Sequence, residues 1–275
     1  MAQESFKDRL VLITGGSTGI GYSLAKMFVQ EGARVWLVSR RKEVLAEAQK
    51  NLFAISPNGS VGIISADVAD QTQVQAAVDQ IVKEAGVPDF LINAAGEGYA
   101  NYAQSIPMEM FHKLMDINYF GTVHMTMAIL PHMLKRGTGH IVNVSSAAGF
   151  LAPFGYLDYV PTKYAVRGFS DALRLELKPL GLRVSVVFPP DTDTPGLTRE
   201  NKTKPYETLA AFSSKVISPD VVAKATINGL RRGQYIILPN FETSLYYSLV
   251  FLVGNAIYPI MDFMLADARK KKPSA

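Results

Sequence analysis

The chain has 275 residues, 48% of them hydrophobic, and carries a formal net charge of +4 with no cysteine. This content is ample for one large buried core, and no linker separates two domains. Without cysteine no disulfide framework can form, which fits a reducing compartment. The basic run at residues 269–272 accounts for the net charge, so the body is near neutral and nucleic-acid binding is not predicted. The polar start predicts neither a signal peptide nor myristoylation, and no metal site is expected.

Seven short apolar runs alternate along the chain with longer segments of helical periodicity. The runs are continuous rather than alternating, as in parallel strands that are covered on both faces. This order predicts an α/β fold: a Rossmann-type doubly wound parallel sheet of about seven strands, with ligands at the carboxyl ends of the strands. The predicted strands are residues 9–14, 34–39, 61–66, 89–94, 140–145, 182–188 and 235–239.

The first predicted strand leads into a glycine-rich turn, GGSTGIG, which a helix follows. Gly15, Gly19 and Gly21 lie where bare backbone can approach a pyrophosphate at a helix N-terminus. The spacing is GxxxGxG rather than GxGxxG, and a tight turn without a ligand is the alternative. The position between a strand and a helix favours a dinucleotide site.

The end of the second predicted strand indicates which dinucleotide is bound. Sites for NAD usually place an acidic residue here to hold the ribose hydroxyls. This chain has Arg40 and Arg41 instead, and a guanidinium group can bind the 2′-phosphate of NADP. We therefore predict NADPH as the cofactor. The alternative is that both arginines form the solvated start of a helix.

A second set of polar residues falls in the middle of the chain. Tyr159 and Lys163 are one helical turn apart on a predicted helix, with Asp158 as its N-cap. Ser146 follows the fifth strand, and Asn118 lies in the helical stretch INYFGT. The pattern YxxxK alone also occurs in ordinary amphipathic helices. Its combination with Ser146 and Asn118 favours a catalytic site.

Six motifs occur in a fixed order along the chain, namely TGGSTGIG, Asp67-Val68, NAAG, Asn118, Ser146 and the Tyr159/Lys163 pair. With these motifs the chain resembles the short-chain dehydrogenase/reductase family over residues 9–196. The resemblance implies a homo-oligomer formed through the helices after the fourth and fifth strands. The predicted cofactor contacts, from the resemblance and the two arginines, are Gly15, Ser17, Thr18, Gly19, Ile20, Gly21, Arg40, Arg41, Asp67, Val68, Asn93, Ala94, Gly96, Tyr159, Lys163, Pro189, Thr192 and Thr194.

The resemblance also implies a reaction and a role for each catalytic residue. Ser146 would hydrogen-bond the substrate carbonyl oxygen, and Tyr159 would protonate it as hydride arrives from the cofactor. Lys163 would lower the pKa of the phenol, about 10 when unperturbed, and hold the nicotinamide ribose. Asn118 would hold a water in the proton relay to Lys163. Ser145 is an adjacent candidate for the serine role, but the family's spacing to the tyrosine favours Ser146.

The loop after the sixth strand, FPPDTDTPGLTRENKTKP, is too polar for a core and too rich in proline for a helix interior. Its first part is expected to close over the nicotinamide, and a substrate lid is predicted around residues 190–215. The loop is similar to that of a family subgroup that reduces the 3-keto group of a sphingoid base. Asp191 and Asp193 are candidate partners for the ammonium of such a substrate. The alternatives are another lipophilic ketone (3-oxoacyl, steroid or retinoid) and a non-catalytic NADPH-binding membrane protein.

The tail departs from the β/α alternation. Residues 243–261 carry no charge, over a length near that which spans a bilayer. Asn255 and Asp262 argue against a clean crossing, so we predict monotopic or hairpin-like attachment to the cytoplasmic side of a membrane, the endoplasmic reticulum in a eukaryote. The alternative is a helix that completes an oligomer interface or a substrate lid. The chain thus divides into a reductase domain, 1–240, and a tail, 241–275.

Overall fold

The computed structural model describes residues 5–57, 59–212 and 214–272. The expectation about targeting signals falls partly on residues 1–4, and the predicted lid includes residue 213; both lie outside the described residues. The strands are β1 Leu10–Thr14, β2 Arg34–Ser39, β3 Val61–Ser65, β4 Phe90–Asn93, β5 Gly139–Val144, β6 Leu182–Val187 and β7 Ile236–Ile237.

All seven strands are parallel and form one sheet in the order β3-β2-β1-β4-β5-β6-β7. The predicted Rossmann-type doubly wound sheet is therefore confirmed. The first six strands begin and end within one residue of their predicted bounds, because continuous apolar runs suit strands buried on both faces. The seventh strand keeps only two of five predicted residues, since it lies at the sheet edge and pairs with β6 alone.

Helices cover both faces of the sheet. The predicted helix that carries Tyr159 and Lys163 is observed as α6, which ends at Leu177 and continues into a 3₁₀ turn. The helix Gln71–Ala85 stops before Gly86, whose φ of 93° favours glycine. The helices are α1 Gly19–Gln30, α2 Lys42–Ile55, α3 Gln71–Ala85, α4 Met108–Leu114, α5 Gly121–Arg136, α6 Tyr159–Leu177, α7 Pro195–Glu200, α8 Pro219–Arg231, α9 Phe241–Val253 and α10 Ile257–Lys270.

Two apolar cores lie on opposite faces of the sheet. One packs α1, α2 and α8 against the sheet and includes Val11, Phe28 and Ile227. The other packs α3, α5 and α6 and includes Leu12 and Ile129. Strand order reverses between β1 and β4, so a crevice opens at the carboxyl ends of these strands, where ligands bind in such sheets.

The tail consists of α9 and α10, joined by a short turn at Gly254–Ala256. The segment Phe241–Lys270 has a mean hydropathy of 1.8 over its most apolar part, none of which is buried. It is long and apolar enough to cross a membrane by length and composition alone. On its inner side, the Tyr247 ring packs 5.1 Å from the Phe150 ring of the reductase body.

Candidate active site

The turn between β1 and α1 has the geometry of an anion site. Gly15 passes so close to the next strand end that a Cβ there would lie 2.8 Å from the Cα of Ala95. Gly19 has a φ of 57°, which favours glycine. Thr18 occupies the N-cap position of α1 without a side-chain capping bond, so the first amides of the helix keep their donors for a ligand. These groups fit the pyrophosphate of a dinucleotide.

Charged side chains line the adjacent edge of the crevice. Arg40 pairs with Glu97 at 2.5 Å and approaches a carboxylate oxygen of Asp67 at 3.8 Å. Glu97 also pairs with Lys113 at 2.8 Å. Arg41 is exposed and makes no ion pair with any residue in the described part of the chain. The charge of Arg40 is thus already balanced, whereas that of Arg41 is available to an anionic ligand.

Some predicted cofactor residues have buried side chains that support the crevice from the protein interior. The amide of Asn93 is buried and donates to Thr126 at 3.1 Å and to Asn143 at 2.9 Å, so this side chain faces the interior. Val68 is likewise buried. Ser17 holds the glycine-rich turn through a 3.1 Å hydrogen bond to the Ser39 hydroxyl.

Gly21 packs against the turn itself, where a Cβ would lie 2.4 Å from the carbonyl oxygen of Gly15. The other predicted cofactor residues line one cavity of about 350 Å³, within the range of small-molecule sites. Its wall includes Ile20, Ala94 and Gly96 on the side of the crevice. Pro189, Thr192 and Thr194 line the cavity from the loop after β6. Pro189 is fixed because its carbonyl accepts a 2.8 Å bond from the amide of Ala147.

Three of the four predicted catalytic residues line the floor of this cavity. Ser146 comes from the end of β5, and Tyr159 and Lys163 come from the first turns of α6. The Ser146 hydroxyl accepts a 3.1 Å hydrogen bond from the amide of Ala148. The ammonium of Lys163 lies 5.6 Å from the centre of the Tyr159 ring and donates to the carbonyl of Val144 at 3.2 Å. Ser145 instead donates its hydroxyl to the carbonyl of Lys163 at 2.9 Å.

Electrostatics at the floor differ from the expectation in one respect. Burial raises the pKa of Tyr159, and the carboxylate of Glu200 raises it further. The net direction is thus opposite to the lowering expected from Lys163. The reason is that burial dominates, and it also lowers the pKa of Lys163 to about 8. A raised pKa keeps the phenol protonated at neutral pH, as a proton donor requires.

Asn118 lies in a π-helical turn, Met115–Phe120, between α4 and α5. Its side chain is tied to Glu97 by two 2.9 Å hydrogen bonds to the backbone and to Thr162 by one of 3.0 Å. A Cβ at Gly96 would stand 3.1 Å from the Asn118 oxygen and 3.5 Å from the Lys163 nitrogen. The gap between Asn118 and Lys163 thus has the size of a single small group.

Asp158 is the predicted N-cap of α6, but its carboxylate does not cap the helix. The residue stands at the N-cap position in a helical conformation, φ −84° and ψ −29°, and makes no side-chain capping bond. Its side chain is buried, and burial raises the pKa of the carboxyl to about 6. The prediction was wrong because a cap needs an extended backbone to turn its side chain toward the helix amides.

The two predicted substrate-binding acids occupy different places. Asp191 lines the cavity, and burial raises the pKa of its carboxyl. Asp193 is exposed and lies outside the cavity lining, with its amide bonded to the carbonyl of Ile217 at 2.9 Å. Of the two, the structure therefore leaves only Asp191 in reach of a ligand.

Two cavity-lining side chains of the loop were missed by the sequence analysis. Glu200, at the end of α7, accepts a hydrogen bond from Tyr156 and pairs with Lys204 at 3.2 Å. Lys204 in turn lies 3.9 Å from a carboxylate oxygen of Asp191. The spacing of Glu200 and Lys204 in ENKTK is that of a helical ion pair, a signal that was available.

The tail closes the far side of the cavity. Leu249 of α9 and Ile257, Met261 and Met264 of α10 line it. The tail thus contributes a wall of the cavity, an arrangement that is compatible with both the predicted membrane attachment and the alternative of a substrate lid.

The end of α10 is bound to the segment that follows α7. Glu207 of that segment lies 3.6 Å from the ammonium of Lys272 and 3.9 Å from the guanidinium of Arg269. Tyr206 donates its hydroxyl to the carbonyl of Lys271 at 3.0 Å. Loop and tail together therefore form one cover over the catalytic floor.

Comparison with known proteins agrees with this geometry. A family described as short chain dehydrogenase matches residues 9–205. A 3-dehydrosphinganine reductase from Danio rerio is 41% identical over 229 residues, 82% of this chain and 69% of that protein. A 3-ketodihydrosphingosine reductase from Dictyostelium discoideum is 37% identical over 277 residues, 94% of this chain and 83% of that protein. The solved structure of a short-chain dehydrogenase from Sphingobium yanoikuyae in complex with NADPH superimposes with a TM-score of 0.77 at 28% identity, covering 91% of this chain and 95% of that one.

The chain belongs to the short-chain dehydrogenase family. It is accordingly an oxidoreductase that uses a nicotinamide cofactor.

Proposed function

We propose that this protein reduces the 3-keto group of 3-ketodihydrosphingosine with NADPH, a step of sphingolipid synthesis. The observation that carries the proposal is a cavity with Ser146, Tyr159 and Lys163 at its floor and the apolar tail as its far wall. Such a cavity suits a polar ketone head with a long hydrocarbon chain. The relatives named as reductases of this ketone support the choice of substrate.

The proposed mechanism assigns one task to each residue at the floor. The Ser146 hydroxyl orients the ketone oxygen, and the protonated phenol of Tyr159 donates its proton to that oxygen. The ammonium of Lys163 stabilises the phenolate that results and binds the ribose of the cofactor. Asn118 positions a water in the gap beside Gly96, through which a proton returns toward Lys163. NADPH, when bound, supplies the hydride.

The substrate proposal is tested by following NADPH oxidation with three ketones. We expect turnover of 3-ketosphinganine to exceed that of a 3-oxoacyl ester and of a steroid ketone. Preference for either of the other two would favour a reductase of another lipophilic ketone. Absence of oxidation with all three would favour a non-catalytic NADPH-binding role.

The preference for NADPH over NADH rests on the arginines after β2. Arg41 is the better candidate for the 2′-phosphate, because Arg40 is held by Glu97 and Asp67. Arg41→Ala should raise the KM for NADPH about tenfold and leave the KM for NADH unchanged. Lys42→Ala, which removes the next basic side chain, is the control. A wild-type preference for NADH would contradict the proposal.

The same proposal divides the chain into a reductase domain, 1–240, with its lid around 190–215, and a membrane-attached tail, 241–275. Apolar side chains point outward from both tail helices, among them Leu252 and Phe263. The tail attaches to the cytoplasmic side of a membrane, where the basic run at residues 269–272 contacts anionic lipid. In a eukaryote this membrane is the endoplasmic reticulum. Fractionation of the full chain beside a chain truncated at Ser244 tests this. Recovery of the full chain entirely in the soluble fraction would contradict it.

A homo-oligomer is part of the proposal because apolar side chains remain exposed on the helices after β4 and β5. They are Met127 and Leu134 on α5 and Leu175 on α6. Analytical ultracentrifugation in detergent should give at least a dimer, and Leu175→Glu should shift it toward monomer. A monomeric wild-type protein would contradict this part of the proposal.

A further inference from the structure

Most of the cavity wall above the catalytic floor is apolar, but one polar cluster interrupts it. The cluster consists of Glu200, Asp191, Lys204 and Tyr156, all of which line the cavity. Three of them come from the loop after β6, and Tyr156 precedes α6. Buried polar groups of this kind are costly unless each has a partner, so their presence in an apolar wall requires an explanation.

Short contacts between largely buried side chains hold the cluster together. The Lys204 ammonium lies 3.2 Å from Glu200 and 3.9 Å from Asp191, and the side chains of Lys204 and Glu200 are 2% and 12% exposed. Tyr156 donates its hydroxyl to the same carboxylate of Glu200. Two carboxylates therefore share one ammonium group, with one phenol as an additional donor.

The charges of the cluster do not balance. Burial raises the pKa of both Glu200 and Asp191. The carboxylate of Asp191 raises the pKa of Glu200 further, and both carboxylates raise the pKa of Tyr159. The ammonium of Lys163 at the floor donates to the carbonyl of Val144 instead. A second cation that entered from the cavity would relieve the repulsion between the carboxylates.

The cluster also lies at the right place with respect to the reaction. The Tyr156 ring is centred 5.8 Å from the ring of Tyr159, and Tyr156 is the donor to Glu200. Glu200 and Tyr159 line the same cavity, and Tyr156 lies between them. For a ketone oxygen bound between Ser146 and Tyr159, we expect the substituents of one neighbouring carbon to lie on the side of the cavity that Glu200 lines.

We propose that Glu200, assisted by Asp191, binds the protonated amino group on the carbon next to the ketone. The cavity then selects 2-amino ketones over 3-oxo lipids of the same chain length. The inference rests on the proposed function and adds the residue that recognises the head group. Lys204 bridges the two carboxylates when no amine is bound.

The first experiment compares Glu200→Gln with the wild type on two ketones. One is 3-ketosphinganine and the other is the same molecule with hydrogen in place of the amino group. Because glutamine keeps an acceptor for Tyr156 and Lys204 but loses the charge, kcat/KM should fall about 10- to 100-fold for the amino ketone and less than about threefold for the other. Asp193→Asn, outside the cavity in the same loop, should change neither. Equal loss on both ketones, or no loss, would overturn the inference.

The second experiment does not depend on turnover. Isothermal titration calorimetry of the NADPH-bound enzyme with dihydrosphingosine and with its N-acetyl derivative measures amine recognition directly. The wild type should bind the free amine at least about tenfold more tightly, and Glu200→Gln should remove this difference. Equal binding by the wild type would overturn the inference even if 3-ketosphinganine is reduced. Amine selectivity in an enzyme that does not reduce 3-ketosphinganine would instead count against the proposed reaction alone. If Glu200→Gln fails to fold, Asp191→Asn should show the same selectivity loss to a smaller extent.

Discussion

The catalytic floor and the cover above it are built from different kinds of interaction. The floor is tied to the sheet by backbone groups: Ala147 donates to the carbonyl of Pro189 at 2.8 Å, and Lys163 donates to that of Val144 at 3.2 Å. The cover is held by side chains, such as the pair of Glu207 and Lys272 at 3.6 Å. It also exposes apolar side chains to the outside, whereas at the floor Lys163 is buried and Ser146 and Tyr159 are partly buried.

This difference matches the demands on each region. Proton transfer needs donors fixed within hydrogen-bonding distance, and the carboxyl end of a parallel sheet provides rigid positions for them. A cover must open for a long lipid and close again, and partly exposed ion pairs are weak enough to break and re-form. Variants in the floor should therefore affect chemistry, and variants in the cover should affect access and location.

The largest effect is expected at Tyr159. Tyr159→Phe removes the proton donor and should lower kcat about 10²- to 10⁴-fold, with NADPH affinity within about threefold of the wild type. Tyr164→Phe, a half-exposed tyrosine on the same helix, is the matched control and should retain full activity. Stopped-flow measurement of NADPH oxidation and fluorescence titration of NADPH separate the two effects. Activity of Tyr159→Phe within tenfold of the wild type would contradict the assignment.

A second effect should separate the outer face of the cover from the floor. Leu252 and Phe263 are 85% and 75% exposed on α9 and α10. Replacing both with glutamate should lower the fraction bound to anionic vesicles at least about tenfold, because charged side chains are costly in the apolar part of a membrane. Reduction of a short, water-soluble ketone should not change.

The control for this pair is Leu180→Glu, a leucine that is 54% exposed on the reductase body. Vesicle flotation of all three proteins is the measurement. If Leu180→Glu detaches the protein as well as the double variant does, attachment is not a property of the tail.

The pH dependence should report on the floor. Burial lowers the pKa of Lys163 to about 8, so its charged form is lost as pH rises through that value. The reaction needs the ammonium, so kcat/KM should be constant below about pH 7 and fall about tenfold per pH unit well above 8. Lys163→Arg keeps a cation at all accessible pH values, and its residual activity should lack this descending limb. A limb that persists unchanged in Lys163→Arg would assign it to another group.

The smallest effect is expected for the contact between loop and tail. Glu207→Gln removes the charge that pairs with Arg269 and Lys272, both partly exposed. Amide hydrogen exchange in Thr208–Phe212 should accelerate a few-fold, with the catalytic rate in detergent nearly unchanged. Asp267→Asn removes an exposed pair within α10 and should not alter exchange in that segment. Equal exchange in the wild type and Glu207→Gln would show that the ion pairs do not hold the cover.

Much of the floor could be predicted from the sequence because its residues lie at strand ends and helical spacings. Tyr159 and Lys163 share a helix face whatever the rest of the fold does, and Ser146 ends a strand that the apolar pattern already defines. The pattern cannot tell which way an individual side chain turns. Asn93 ends β4 as predicted, yet its amide is directed inward to Asn143 rather than to the crevice.

The residues missed by sequence reasoning are those whose environment comes from distant segments. Glu97 affects the charge at the edge of the crevice only because its carboxylate lies 2.5 Å from the guanidinium of Arg40, which follows a different strand. Glu200 gains significance from Tyr156, which is 44 positions earlier in the chain. Burial likewise reversed the expected direction of the pKa of Tyr159.

By itself, the sequence determined the doubly wound sheet, the family and the positions that carry hydride-transfer chemistry. These follow from local periodicity and spacing, which fix strands, helices and shared faces without long-range information. Only the tertiary structure decided that the tail forms a wall of the catalytic cavity and that Asp191, not Asp193, faces it. It also decided that two carboxylates share one ammonium there. The physical reason is that burial and charge balance depend on which distant segments pack together, and no local pattern encodes that choice.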